Sequence, residues 1–119
     1  MKKKKIWGYT QEIFNNSLFE LHRLEFNEGY NCSEHLHKFK FNAFFVESGK
    51  LLVRVWDNKD DSSYEEITLH PGDFYKVEPG HYHQFEGIKS GVAFEIYWSE
   101  YSSDDIERRK EGSKVKHKK

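Results

Sequence analysis

A chain of 119 residues, 36% hydrophobic and 17% aromatic, has room for one domain around one modest core. Nowhere do 18 apolar residues follow one another, which excludes a membrane-spanning helix. The net charge of −1 is unevenly spread: residues 6–107 carry 8 basic against 19 acidic residues, and the basic surplus sits at the two ends. No basic stripe runs through the body, which argues against nucleic acid as a partner.

In chain order, the four lysines of residues 1–5 are expected to form a solvated basic tail. They are followed by IWGYTQEIF rather than an apolar run, so no signal peptide is expected and the default location is cytoplasmic. Residues 6–9 open an edge strand. Residues 17–27 alternate, with Leu18, Glu20, His22, Leu24 and Phe26 on one face, and Gly29 supplies the permissive backbone of the turn that follows. Strands are predicted at 33–38, 41–47 and 50–56, with a tight turn at 47–50 between the last two and a polar loop at 57–63. Shorter strands at 65–69, 74–78, 83–86 and 92–98 are separated by turns at 70–73, 78–80 and 87–91. Many short strands at close spacing with Gly/Pro turns predict an all-β sandwich or barrel over residues 6–102. A short helix is predicted at 103–110, with Ser103 as its cap, Asp104 and Asp105 in the first turn and cations closing it. A basic tail runs on to residue 119.

The chemistry concentrates in GYNCSEHLHKFKFNAFFVESG, residues 29–49. His35 and His37 stand two apart in an extended run, so both rings leave on one face and can grip one ion. His83, in EPGHYHQF, is the third imidazole, and three imidazoles leave coordination positions open. His81 is read as a rim residue. Cys32, the only cysteine, cannot form an internal disulfide and reads as a half-buried strand residue.

This order of motifs resembles the cupins, the jelly-roll or double-stranded β-helix barrels. Their first motif spaces a glycine, His-x-His, a glutamate and a second glycine as Gly29, His35, His37, Asn42 and Gly49 are spaced here, with Asn42 where the glutamate belongs. Gly72, Asp73, Gly80 and His83 echo their second motif. A narrower resemblance, carried by Trp7-Gly8 and by the segment from Asp104 to Arg108, is to the small type II mannose-6-phosphate isomerases. Against that family's Ser-Leu-Gln-x-His and Arg-x-Glu-x-Trp stretches this chain reads Ser33-Glu34-His35-Leu36-His37 and Lys40-Phe41-Asn42-Ala43-Phe44. The frame persists while the residues next to the ion have changed.

The resemblance implies a single cupin domain and one divalent transition metal (zinc, manganese, iron or nickel) on His35, His37 and His83, with Asn42 as fourth neighbour. It implies action on a small sugar or sugar phosphate, in which Glu95 would move a proton while Lys40 and Arg108 meet the developing charge or the phosphate. A three-histidine iron dioxygenase is the rival enzyme. A non-catalytic small-molecule or sugar-binding module walled by Phe44, Tyr75 and Phe85 is the rival without chemistry. A homodimer is expected, because an added N-terminal edge strand covers such sheets.

Overall fold

The computed structural model describes residues 1–57, 63–100 and 104–115. Among them every regular element is a strand: β1 (Lys2–Lys5), β2 (Gly8–Asn15), β3 (Phe19–Phe26), β4 (Phe41–Trp56), β5 (Tyr64–Leu69), β6 (Phe74–Val77) and β7 (His83–Trp98). All pairings are antiparallel, in the order β1-β2-β3-β7-β4-β5, with β6 joined to β4. This is consistent with a jelly roll.

The spine is the long pair β4 and β7, each of 16 residues. Both were expected as two strands broken by a turn, and both instead run through. The glycines thought to make those turns lie against each other. A Cβ on Gly49 would stand 2.5 Å from the Lys89 carbonyl oxygen, and one on Gly91 would stand 2.0 Å from that of Ser48. The ladder slips register between Val46 and Leu51, where these backbones close up. The segments are therefore bulges that bend a continuous ribbon. Bending lets β4 pair β6 with its first half and β5 with its second.

Alternation then fixes what faces inward. Leu24 and Phe26 from β3, Phe44, Val46, Leu51 and Val53 from β4, and Phe85 and Ala93 from β7 form the core with Trp7, Leu69 and Val77. Phe44 and Phe85 meet edge to face at 5.9 Å, and Tyr75 packs partly buried against this cluster. Core packing thus takes Phe44 and Tyr75, two of the three aromatics expected as ligand walls.

Three further expectations differ. Residues 33–38 are not a regular strand: the stretch is tied to β7 by isolated bridges, Asn31 to Glu86 and His35 to His83. The lysine run is β1, paired with β2 from Lys2↔Gln11 to Lys5↔Gly8, and Lys2 Nζ holds Glu25 at 2.9 Å. Lysine is a poor strand former, but it suits a sheet edge, where its charge discourages further pairing. The C-terminal helix is not seen. Its cap, Ser103, lies outside the described residues, as does most of the loop at 57–63. The described residues 104–110 form no helix; the Ile106 N–H donates to the Asp104 carbonyl in a tight turn at 2.8 Å. Ile106 is the one large apolar residue of that stretch and is exposed, so a helix there would have no face to bury, and one this short does not persist unaided.

Candidate metal centre

Residues 31–37 are extended and lie antiparallel to the start of β7. The His35 N–H donates to the His83 carbonyl at 3.1 Å and the His83 N–H returns the bond at 2.8 Å. That exchange fixes the two rings side by side, centroids 4.6 Å apart. His37, two residues on, returns to the same face, 5.1 Å from His35 and 5.4 Å from His83. One ligand nitrogen from each ring can be chosen so that all three lie within 4.8 Å of one another. The three imidazoles singled out by spacing are therefore together.

Their orientation is set by the backbone. His83 Nδ1–H donates to the His81 carbonyl (3.0 Å) and His35 Nδ1–H to the Ser33 carbonyl (2.9 Å), which leaves each Nε2 with a free lone pair. His81 itself is half-buried and donates from Nδ1 to the Trp56 carbonyl at 2.8 Å, so it serves the site through its own C=O.

One atom describes what the centre lacks. His37 Nε2 is buried with no hydrogen-bond partner. A buried polar atom in that state costs about 1–3 kcal/mol, and a cation would satisfy it. His83 Nε2 lies 2.9 Å from Asn42 Oδ1, which places the amide beside the imidazoles. Burial, reinforced for His37 by the neighbouring charges of His83 and Lys40, holds His37 and His83 down to about 4, so both are neutral and able to ligate at pH 7. Among the described residues this donor set fits a divalent transition metal.

Asn42, on β4, is only 1% exposed. Its Nδ2 reaches across to Glu95 Oε2 (3.3 Å) on β7, linking the imidazoles to a buried carboxyl. Burial pushes the Glu95 carboxyl up, and the Asn42 and Tyr97 donors only partly offset this. Tyr97, two residues on and on the same face, is raised by burial and by Glu95.

Glu95 and His35 both line a cavity of about 510 Å³ that opens beside the imidazoles. Its walls include Trp7, His22, Phe85 and Tyr97. The other two residues expected to act on substrate are placed differently. Lys40 lies 3.6 Å from Glu20 and over the Tyr97 ring, beyond this cavity's wall. Arg108 is exposed in the C-terminal segment, with no contact to the imidazoles among the described residues. Cys32 is buried on the cavity wall; its Sγ accepts from the Phe85 N–H at 3.1 Å, and burial pushes its thiol up to about 12, so it is not a reactive ligand.

Sequence reading missed His22 and Tyr97 as cavity residues. Their parity held the signal: His22 shares a face with Leu24 and Phe26, and Tyr97 shares one with Glu95. What the sequence lacked was the pairing of His22 opposite Glu95 across β3 and β7.

The fold has well-defined likenesses. The capsular polysaccharide assembling protein CapF from Staphylococcus aureus is similar with a TM-score of 0.74 at 16% identity, over 88% of this chain and 30% of CapF. KdgF from Halomonas sp. is similar with a TM-score of 0.71 at 13% identity, over 85% of this chain and 89% of that one. The cupin domain of Cnp3 from Schizosaccharomyces pombe gives 0.70 at 14%, over 84% and 69%. At such identities the likeness is one of fold, and this chain spans less than a third of CapF. No curated protein matches the sequence. The model of the cupin domain matches residues 22–99, well over half of the chain and all of the three-histidine group, and the chain belongs to the cupin family.

Proposed function

We propose that this cupin holds one divalent transition metal on His35, His37 and His83, with Asn42 as fourth neighbour, and handles a small sugar or sugar phosphate in the adjoining cavity. The observation that carries the metal is the buried, unpartnered Nε2 of His37, one of three imidazoles from which ligand nitrogens can be chosen within 4.8 Å of one another. A sugar-type ligand is supported by the cavity, which is of the size that takes one small molecule, and by the likeness to CapF, a capsular polysaccharide assembling protein.

A bound cation would supply Lewis acidity toward a carbonyl or hydroxyl oxygen. This chain's own residues would then orient the ligand and move the proton. Glu95 lines the cavity with a carboxyl whose pKa burial raises, the direction that suits a group that gives and takes a proton. Asn42 and Tyr97 hold that carboxyl in place. In this reading Lys40 steadies Glu20 and Tyr97 rather than the ligand, and Arg108 has no part supported by its contacts. Isomerisation of the mannose-6-phosphate type is the finer form of the proposal. The uncharged amide at position 42 also suits a three-imidazole iron site, and oxygen-dependent turnover of the ferrous-loaded protein would separate that reading from isomerisation. A homodimer belongs to the same proposal.

Metal analysis of the purified protein and of a His37→Ala variant tests the centre. About one equivalent of metal in the parent and a loss of tenfold or more in the variant is the expected result. The same trace content in both would remove the metal and, with it, metal-assisted isomerisation.

A further inference from the structure

The N-terminal strand gives the cavity a charge that the metal reading does not use. Lys3 and Lys5 are alternate residues of β1, opposite Thr10 and Gly8, and all of Lys3, Lys5 and Thr10 line the 510 Å³ cavity. Lys2, on the other face, is tied to Glu25. Among the described residues no carboxylate pairs with Lys3 or Lys5. The acids of the neighbouring strands β2 and β3 have other partners: Glu25 meets Lys2 and Arg23, Glu20 meets His22 and Lys40, and Glu12 meets Asn15. The single acid on the cavity wall is Glu95, which faces Asn42 and Tyr97 from a buried position. The same cavity is lined by Trp7 and Phe85, ring centroids 4.9 Å apart, and by His35. Its lining therefore combines two lysines, an apolar pair and one imidazole of the metal group.

We propose that Lys3 and Lys5 form an oxyanion clamp, which takes the phosphate or carboxylate of a small sugar-like ligand whose body lies along Trp7 and Phe85 toward the imidazole centre. The proposal rests on the sugar-ligand reading above and names the ligand's charge. Two ammonium groups on one strand face meet an oxyanion with charge-assisted hydrogen bonds, while a neutral sugar offers them nothing comparable. The lysine-rich start of the chain then has a task beyond guarding a sheet edge.

The test is calorimetric titration of the full, zinc-loaded chain with mannose 6-phosphate, mannuronate and mannose, at low salt and at 0.3 M salt. The parent is compared with a Lys3→Gln/Lys5→Gln variant and with a Lys2→Gln/Lys4→Gln variant, which loses the same charge from the opposite face. At least one anionic probe should bind ten times or more tightly than mannose, more weakly at high salt, and the stronger anion identifies phosphate or carboxylate as the natural group. Removing Lys3 and Lys5 should weaken that binding by about tenfold or more, and removing Lys2 and Lys4 by less than about threefold. Equal affinity for mannose and the anions overturns the clamp, as does an equal loss in both variants. Binding of none of the three probes by a chain that carries stoichiometric zinc also overturns the clamp and leaves the metal centre standing. Lysine-dependent anion binding by a chain that takes no zinc supports the clamp and ends the metal reading.

Discussion

Acidification of the metal-free protein should destabilise it through two imidazoles, the buried His83 and the half-buried His37. His83 is 2% exposed, and its folded-state pKa is pushed from 6.5 to about 4, first by burial. The unfolded chain then binds the proton more readily than the folded one, so stability falls as pH drops through 6.5 and stops falling near 4. For His83 alone the linkage relation gives a loss of about 2 kcal/mol between pH 7 and pH 5. His37 is shifted as far but is partly exposed, and solvent screening reduces its share to about 1 kcal/mol. Together they remove about 3 kcal/mol, a large part of a stability of 5–15 kcal/mol. Glu95 works in the opposite sense: its raised pKa means that stability is lost as pH rises above 4.5. Glu20 and Glu25 are lowered by their ion partners and lose their contribution only as pH falls below about 4.5. Urea unfolding followed by tryptophan fluorescence, in chelator, at half-unit steps from pH 7 to pH 5, isolates the imidazoles when a His37→Gln/His83→Gln variant is run beside the parent. The Glu95 contribution is common to both and cancels in the difference of slopes. Parallel stability curves for parent and variant over this window would refute the reasoning.

Two further perturbations test the fold and the cysteine. Gly49→Ala should cost about 2 kcal/mol or more, because φ is +80° and the new Cβ would meet two backbone carbonyls on β7; a melting temperature within about 2 °C of the parent would contradict the close approach of β4 and β7. Native Cys32 should react with a disulfide reagent at pH 8 about a thousand times more slowly than in urea, since burial pushes its thiol from 9.0 up to about 12; comparable rates in both would show that the wall it occupies is open.

The parts of the structure legible in the sequence are those in which a local pattern carries the whole signal. The alternation through residues 17–27 gives β3 its inward face, and the His-x-His spacing gives two rings on one side of an extended segment. Where the outcome depends on what a segment meets, the local pattern misleads. Glycines at 49, 87 and 91 carry the same local preference in a hairpin turn as in a bulge, and only the mutual approach of β4 and β7 decides between them. The lysine run looks like a tail by composition, and its strand exists through pairing with β2. His22 and Tyr97 had the right parity, but the cavity they wall forms only where β3 lies beside β7. Arg108 and Lys40 were assigned by alignment to a family pattern, which carries no information on where an exposed C-terminal segment lies or on which acid holds a lysine.

The substitution that most sets this chain apart from the pattern it resembles is the amide at position 42, and the structure gives it a physical setting. A glutamate there would put a second carboxyl beside Glu95, and two buried carboxyls at that separation cannot both ionise. With Asn42, one carboxyl is removed from the imidazoles and the remaining one stands a hydrogen bond further away, across the amide. In the proposed reading the arrangement separates two tasks that a single glutamate would combine: neutral donors gather around the imidazoles, and the proposed proton-carrying group, Glu95, lies on the cavity wall. A cation held by neutral donors keeps more of its charge, and a carboxyl outside its immediate contact keeps its proton more readily. Asn42→Glu should therefore raise metal retention in dialysis against chelator while it lowers the stability of the metal-free chain, two changes of opposite sign from one residue. If both moved in the same direction, Asn42 would be a packing residue and the division of labour between positions 42 and 95 would fall.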